Sequence, residues 1–194
     1  MKLSLSRINT GLLAAIILIN GYVIVLPIVP QIALLLHNRD KRYIQHLETK
    51  INTPSPKIQN APADDRLIIP SMGLDQPINQ GRTAQTLQKG LWLRPNGSTP
   101  DKGSNTVIVG HRFTYSNPKG ILYSLNAVQL HDHIGVWWKN KHYVYSVGEI
   151  KEVSPDQTSI EAPTADARLT IYTCTPLWMP KNRLVVIANL EKIE

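Results

Sequence analysis

Hydrophobic and polar positions divide the chain into three textures. Residues 8–36 carry no formally charged side chain, and the run 11–29 is almost wholly apolar, long enough to cross ~30 Å of hydrocarbon as a helix. That run exceeds the ~7 to 15 residues of a signal-peptide core, and no Ala-x-Ala site closes it, so an uncleaved anchor is expected. Pro27 and Pro30 with Gln31 mark its outer end or a kink, because proline removes a helical hydrogen bond. Residues 38–50 read as a short polar helix, and residues 52–65, with Pro54, Pro56 and Pro62, read as a stalk.

From residue 66 the texture changes to short apolar, β-branched runs separated by turn residues. The spacing predicts strands over 66–70, 106–109, 134–138, 141–150, 168–173 and 184–190, with a short helix over 83–89. Trp137-Trp138 and Tyr143-Val144-Tyr145 flank Lys139-Asn140-Lys141 and predict a hairpin with aromatic packing. So many short strands with little helix indicate an all-β barrel or sandwich. The expected organisation is an anchor over 1–37, a juxtamembrane helix and stalk over 38–65, and one β-domain over 66–194.

Charge and cysteine content narrow the function. Lys and Arg number 21 against 14 Asp and Glu, a net charge of +7 that suits a surface beside anionic lipid or acidic polymer. No arginine-rich helix or interleaving of basic and aromatic residues accompanies it, so no nucleic-acid partner is expected. Lys2 and Arg7 on one side of the apolar run are matched by Arg39, Lys41 and Arg42 on the other, and charge alone gives no orientation. With Cys174 as its one cysteine, the sequence excludes an internal disulfide and a multi-cysteine zinc site.

Chemistry-bearing residues sit at strand ends. The apolar run 169–173 leads into Cys174, and alternation puts Thr170, Tyr172 and Cys174 on one face with Thr173 on the other. The run 105–109 leads through Gly110 to His111, the glycine being a natural joint for a turning strand. Arg183 opens the final strand nine positions after the cysteine. A thiolate nucleophile, an imidazole acid and base, and a guanidinium for a developing oxyanion would form a working set if folding joined them. Taken singly, they read as a core thiol, a capping histidine and a surface arginine.

The string Thr170-Ile171-Tyr172-Thr173-Cys174 resembles the T-L-x-T-C signature of the sortase family, with Ile for Leu. Residues 105–112, ending in Gly110-His111-Arg112, resemble the strand that leads to that family's catalytic histidine, and Arg183 before Leu184-Val185-Val186 is similar to its catalytic arginine. The likeness runs over roughly 66–190. It implies an eight-stranded sortase β-barrel with one or two short helices, preceded here by the transmembrane helix. It also implies a cysteine transpeptidase with Cys174 as nucleophile, His111 as acid and base, and Arg183 as substrate and oxyanion ligand. Thr173, Tyr172 and Trp178 are the expected substrate-binding residues. The implied partners are surface proteins bearing an L-P-x-T-G-like sorting signal and an amine acceptor on a cell-wall precursor or pilin. The catalytic domain would then lie outside a cell membrane spanned once, in contact with its lipid.

Residues 52–65 lack the acidic-aromatic lid pair of many pilin-polymerising sortases, so an open cleft and a general anchoring role, class E- or D-like, are expected. No cofactor or metal is expected. Asp156, Glu161 and Asp166 are too few and scattered for calcium, and His131-Asp132-His133 has no third ligand nearby. An L,D-transpeptidase is disfavoured because its S-H-G-C string is missing. The non-enzymatic alternative is a membrane-tethered binding module with an inert thiol.

Overall fold

The computed structural model describes residues 5–26, 28–29, 32, 41–52, 62–114, 120–177 and 179–194. Contacts divide the chain into two compact units, Met1–Arg39 and Asp40–Glu194. In the first, helix α1 (Leu5–Val25) contains a stretch, Ile8–Val25, long and apolar enough to cross a membrane. Its large apolar side chains, Leu12, Ile16 and Leu18 among them, are exposed, a surface that water does not favour. Pro27, Pro30 and Gln31 lie outside the described residues, as does most of the expected stalk.

The second unit is a closed barrel of eight strands. They are β1 (Arg66–Ile69), β2 (Leu74–Gln80), β3 (Leu91–Leu93), β4 (Asn105–Val109), β5 (His133–Trp138), β6 (Lys141–Val153), β7 (Arg168–Thr175) and β8 (Asn182–Ile193). Their order around the barrel is β1-β2-β3-β4-β7-β8-β6-β5. Pairs β2–β3 and β4–β7 are parallel and the remaining neighbours antiparallel. Closure removes the sheet edges that would otherwise expose unpaired backbone.

Strand alternation builds the interior. Leu169 and Ile171 of β7 join Leu67, Ile108, Val136 and Val186 in one buried cluster. Tyr172 packs instead in clusters outside it, with Trp92, Val107 and Val109 and with Val153, Val185 and Ile187. Cys174, two positions on, shares the Tyr172 face.

The hairpin at 139–140 is as expected: β5 and β6 are joined by Lys139 and Asn140, both with positive φ (50° and 63°), the pattern whose twist suits a two-residue turn. The helix expected over 83–89 is a 3-10 helix, Ala84–Lys89. Strands β2 and β3 were not predicted. Pro77 lies in β2 opposite Arg66 of β1, one residue before β2 begins to pair with β3, so its missing N–H leaves no rung of the β3 ladder unfilled.

The helix expected over 38–50 is α2 (Lys41–Asn52), and it is amphipathic rather than polar. Leu47 and Ile51, one turn apart, are buried against Ile68, Trp137 and Val144 on the outside of the barrel. Burial of two such side chains stabilises the docked helix by about 3 to 6 kcal/mol. Lys50 adds an ion pair to Asp75 of β2 at 2.7 Å, and Arg66 of β1 reaches the same carboxylate at 2.7 Å. Burial pushes the Asp75 pKa up, but the hydrogen bonds from Lys50 and Arg66 outweigh it and leave the carboxyl below its usual range.

Candidate active site

Register brings three strand ends level. Cys174 of β7 is paired with Arg183 of β8, and the Arg183 Nη1 lies 3.3 Å from the Cys174 Sγ. On the other flank β7 runs parallel to β4, with Val109 opposite Tyr172. Two residues beyond that last pair stand His111 and Cys174. The sulfur therefore has the guanidinium on one neighbouring strand and the imidazole-bearing residue at the end of the other. All three side chains are half-buried, held by the sheet yet open to solvent.

The local sequence explains the geometry. Gly110 has no positive φ, so it is not the flexible joint that the sequence suggests. Its role is space: a Cβ there would meet Ile121 at 2.7 Å and Leu122 at 3.0 Å. The segment returning from His111 can thus pack against the end of β4, where the Leu122 N–H donates to the His111 carbonyl at 3.0 Å.

Thr173 faces away from Cys174, as alternation predicts. It is buried, and its hydroxyl donates to the Gly110 carbonyl at 2.8 Å. Tyr172 shares the sulfur's face, but its hydroxyl is bonded to Glu161 in the loop between β6 and β7. Burial first, then that carboxylate, pushes the Tyr172 phenol far above its ordinary value, so it stays protonated. Trp178 lies outside the described residues.

The loop over 154–167 is fastened to the barrel chiefly through polar contacts that the sequence did not reveal. Arg94 Nε and Nη2 grip the Glu161 carboxylate at 3.1 and 3.2 Å while its guanidinium lies 4.6 Å from the Trp92 ring centroid. Asn105 donates to the Ile160 and Ala162 carbonyls at 2.9 and 3.0 Å, and its own oxygen accepts from Thr170 at 2.7 Å. Glu161 is thereby engaged by protein donors. Asp156 accepts from Ser154 at 2.8 Å. Of the histidine pair, His133 meets Glu191 at 3.0 Å, and His131 occupies a turn with φ of 70°. Among the described residues no three His, Cys, Asp or Glu side chains are grouped to hold a metal.

His111 also borders a second space, a cleft of about 590 Å³ walled by Met72, Leu74, Leu87, Ile121 and Tyr123. Gly120 and Ser124 line it as well, and Cys174 is not among its lining residues.

Comparisons with known proteins agree with this arrangement. The Sortase domain profile matches residues 67–191. Sortase A of Bacillus anthracis is 27% identical over 149 residues, 73% of this chain and 69% of that protein. Sortase D of Bacillus subtilis is 29% identical over 126 residues, 64% of this chain and 61% of that protein. Among solved structures, Sortase A from Corynebacterium diphtheriae superposes with a TM-score of 0.61 at 26% identity, covering 81% of this chain and 72% of that one. With its closed eight-stranded barrel and a profile match across most of that barrel, the chain belongs to the sortase family of cysteine transpeptidases.

Proposed function

We propose that the chain is a membrane-anchored sortase that cleaves an L-P-x-T-G-like sorting signal and transfers the released protein to an amine on a cell-wall precursor or pilin. The observation that carries this reading is the 3.3 Å approach of Arg183 to the Cys174 sulfur, level with His111 on the adjoining strand. The Cys174 thiolate attacks the Thr carbonyl carbon of the signal, and Arg183 hydrogen-bonds the oxyanion that develops. As the C–N bond breaks, His111 gives a proton to the departing Gly amine and a thioester remains. The acceptor amine then attacks the thioester carbon, loses its proton to His111 and expels the thiolate.

Tyr172 serves as part of the groove floor, and Thr173 supports the pair from behind through its hydrogen bond to Gly110. Helix α1 supplies the anchor, with the catalytic barrel outside the membrane, where sorting signals and wall precursors meet. The organisation follows as anchor over 1–37, helix and stalk over 38–65, and catalytic domain over 66–194.

Turnover of a quenched sorting-signal peptide tests this function. Cys174→Ala should abolish cleavage, and His111→Ala or Arg183→Ala should each lower kcat by about a hundredfold or more, as expected when an acid-base group or an oxyanion donor is lost. Undiminished turnover by the cysteine variant would refute the assignment of Cys174, whereas no turnover by the parent and a thiol inert to electrophiles would favour a binding module.

A further inference from the structure

Cys174 and His111 are bracketed along the chain by two side-chain links. The residues preceding them are joined by the Thr173 hydroxyl on the Gly110 carbonyl at 2.8 Å. The residues following them are joined too, since Arg112 Nη1 donates to the Thr175 Oγ1 at 2.9 Å. The remaining nitrogens of the same guanidinium are also engaged. Nε donates to the Tyr123 carbonyl at 3.3 Å, and Nη2 donates to the Asn126 Oδ1 at 3.0 Å. The Thr175 hydroxyl lies 3.4 Å from the Glu152 Oε1 of β6, which leaves it free to accept from Arg112 while donating to the carboxylate. Three elements therefore converge on one planar cation: the end of β7, the segment over 120–127, and the turn that carries His111.

We propose that Arg112 is a positioning residue of the transpeptidation reaction, gripping Thr175 and Asn126 so that His111 is held at working distance from Cys174. It rests on Cys174 and His111 being the reacting pair. The Thr173 link holds Gly110 and the Leu122 N–H holds the His111 carbonyl, but neither ties the residue after His111 to β7, which is what the Arg112 contact with Thr175 does. A fork of donors in a fixed plane is suited to holding several acceptors in one geometry, whereas an ammonium on a flexible stem would meet one acceptor at a time. Burial pulls the guanidinium below its ordinary pKa, while the negative charges of Tyr123, Glu152 and Cys174 oppose that pull and favour the cation. Arg183 touches the sulfur directly, and Arg112 acts on it through the spacing of the pair.

The test compares Arg112→Gln, Arg112→Lys and Thr175→Val with the parent protein and with Cys174→Ala, reading kcat, KM and the thermal midpoint on a quenched peptide carrying an L-P-x-T-G sequence. Misplacing a catalytic group by about 1 Å costs up to about a hundredfold in rate, so Arg112→Gln and Thr175→Val should each lower kcat about tenfold or more. KM should change by less than about threefold, since neither side chain is asked to bind substrate. Arg112→Lys, which can still reach Thr175, should recover part of the loss. Folded Gln and Val variants with kcat within about twofold of the parent, beside an inactive Cys174→Ala, would overturn the role of Arg112 and leave the catalytic reading standing. A kcat loss matched by the unfolded fraction at the assay temperature would also overturn it. Turnover by Cys174→Ala would overturn both. If Arg112→Gln does not fold, Thr175→Val decides, because it removes one hydroxyl while keeping the side chain's shape.

Discussion

At the scale of single residues, the site depends on polar side chains tying neighbouring strands and loops together. Cys174 is flanked by Thr173 and Thr175, whose side chains alternate away from the sulfur and bond the two residues on either side of His111. Glu161 does comparable work for the loop between β6 and β7, accepting from Arg94 and Tyr172. Its carboxylate is half-buried, so the loss of charge-assisted bonds in Glu161→Gln should destabilise the protein by about 1 to 2 kcal/mol, measurable by urea unfolding. The same variant should raise KM for a sorting-signal peptide more than it lowers kcat, because Glu161 holds the Tyr172 proposed to floor the groove and is not itself asked to act on the reacting bond.

Single elements show what charge and burial do together. Strand β6 carries His142, about 1% exposed, with its ring stacked on Trp137 at 4.8 Å. Its Nδ1 is 3.4 Å from the Glu194 carboxylate, and its Nε2 has no hydrogen-bond partner among the described residues. Burial lowers the His142 pKa and outweighs the opposing pull of Glu194, while the positive charges of Lys192 and Lys50 lower it further. Above the ordinary imidazole value both folded and unfolded chains hold His142 neutral. As pH falls through that value the unfolded chain takes up a proton that the folded chain resists, so stability falls. Glu194 titrates below this window: burial pushes its carboxyl up, but bonds to Lys192 and His142 bring it below its usual range. Thermal midpoints measured from pH 7 to pH 5 should therefore decline more steeply for the parent than for His142→Gln.

The elements also divide by how legible they are in the sequence. Strands β4, β5, β6, β7 and β8 are long enough, and β-branched or aromatic enough, to declare themselves, and β1 is marked by its apolar run before Pro70. Strand β3 has three residues, and β2 contains Pro77 between Gln76 and Ile78, so neither carries an apolar run that the eye or a propensity would pick out. The apolar stripe of α2 is only Ile44, Leu47 and Ile51 among charged and amide side chains, which reads as polar until a barrel face covers it. Cys174, His111 and Arg183 were legible because each ends or opens a strand with a recognisable local string. Arg112 and Arg94 were not: their partners Thr175 and Glu161 lie 63 and 67 positions away, a separation that only the closed barrel resolves.

For the whole molecule, the parallel β4–β7 pairing and antiparallel β7–β8 pairing bring three distant segments level on neighbouring strands. The barrel supplies rigidity and α1 supplies a stretch long and apolar enough for a membrane, and a tethered transpeptidase is the function proposed for the two together. Intact mass measurement of the protein during turnover of a sorting-signal peptide, with no amine added, tests that most directly. The expected result is a mass gain equal to the peptide's amino-terminal fragment less water, mapped to Cys174, absent from Cys174→Ala and discharged by hydroxylamine as a thioester should be. Cleavage of the peptide without any adduct on Cys174, or an adduct on another residue, would contradict it.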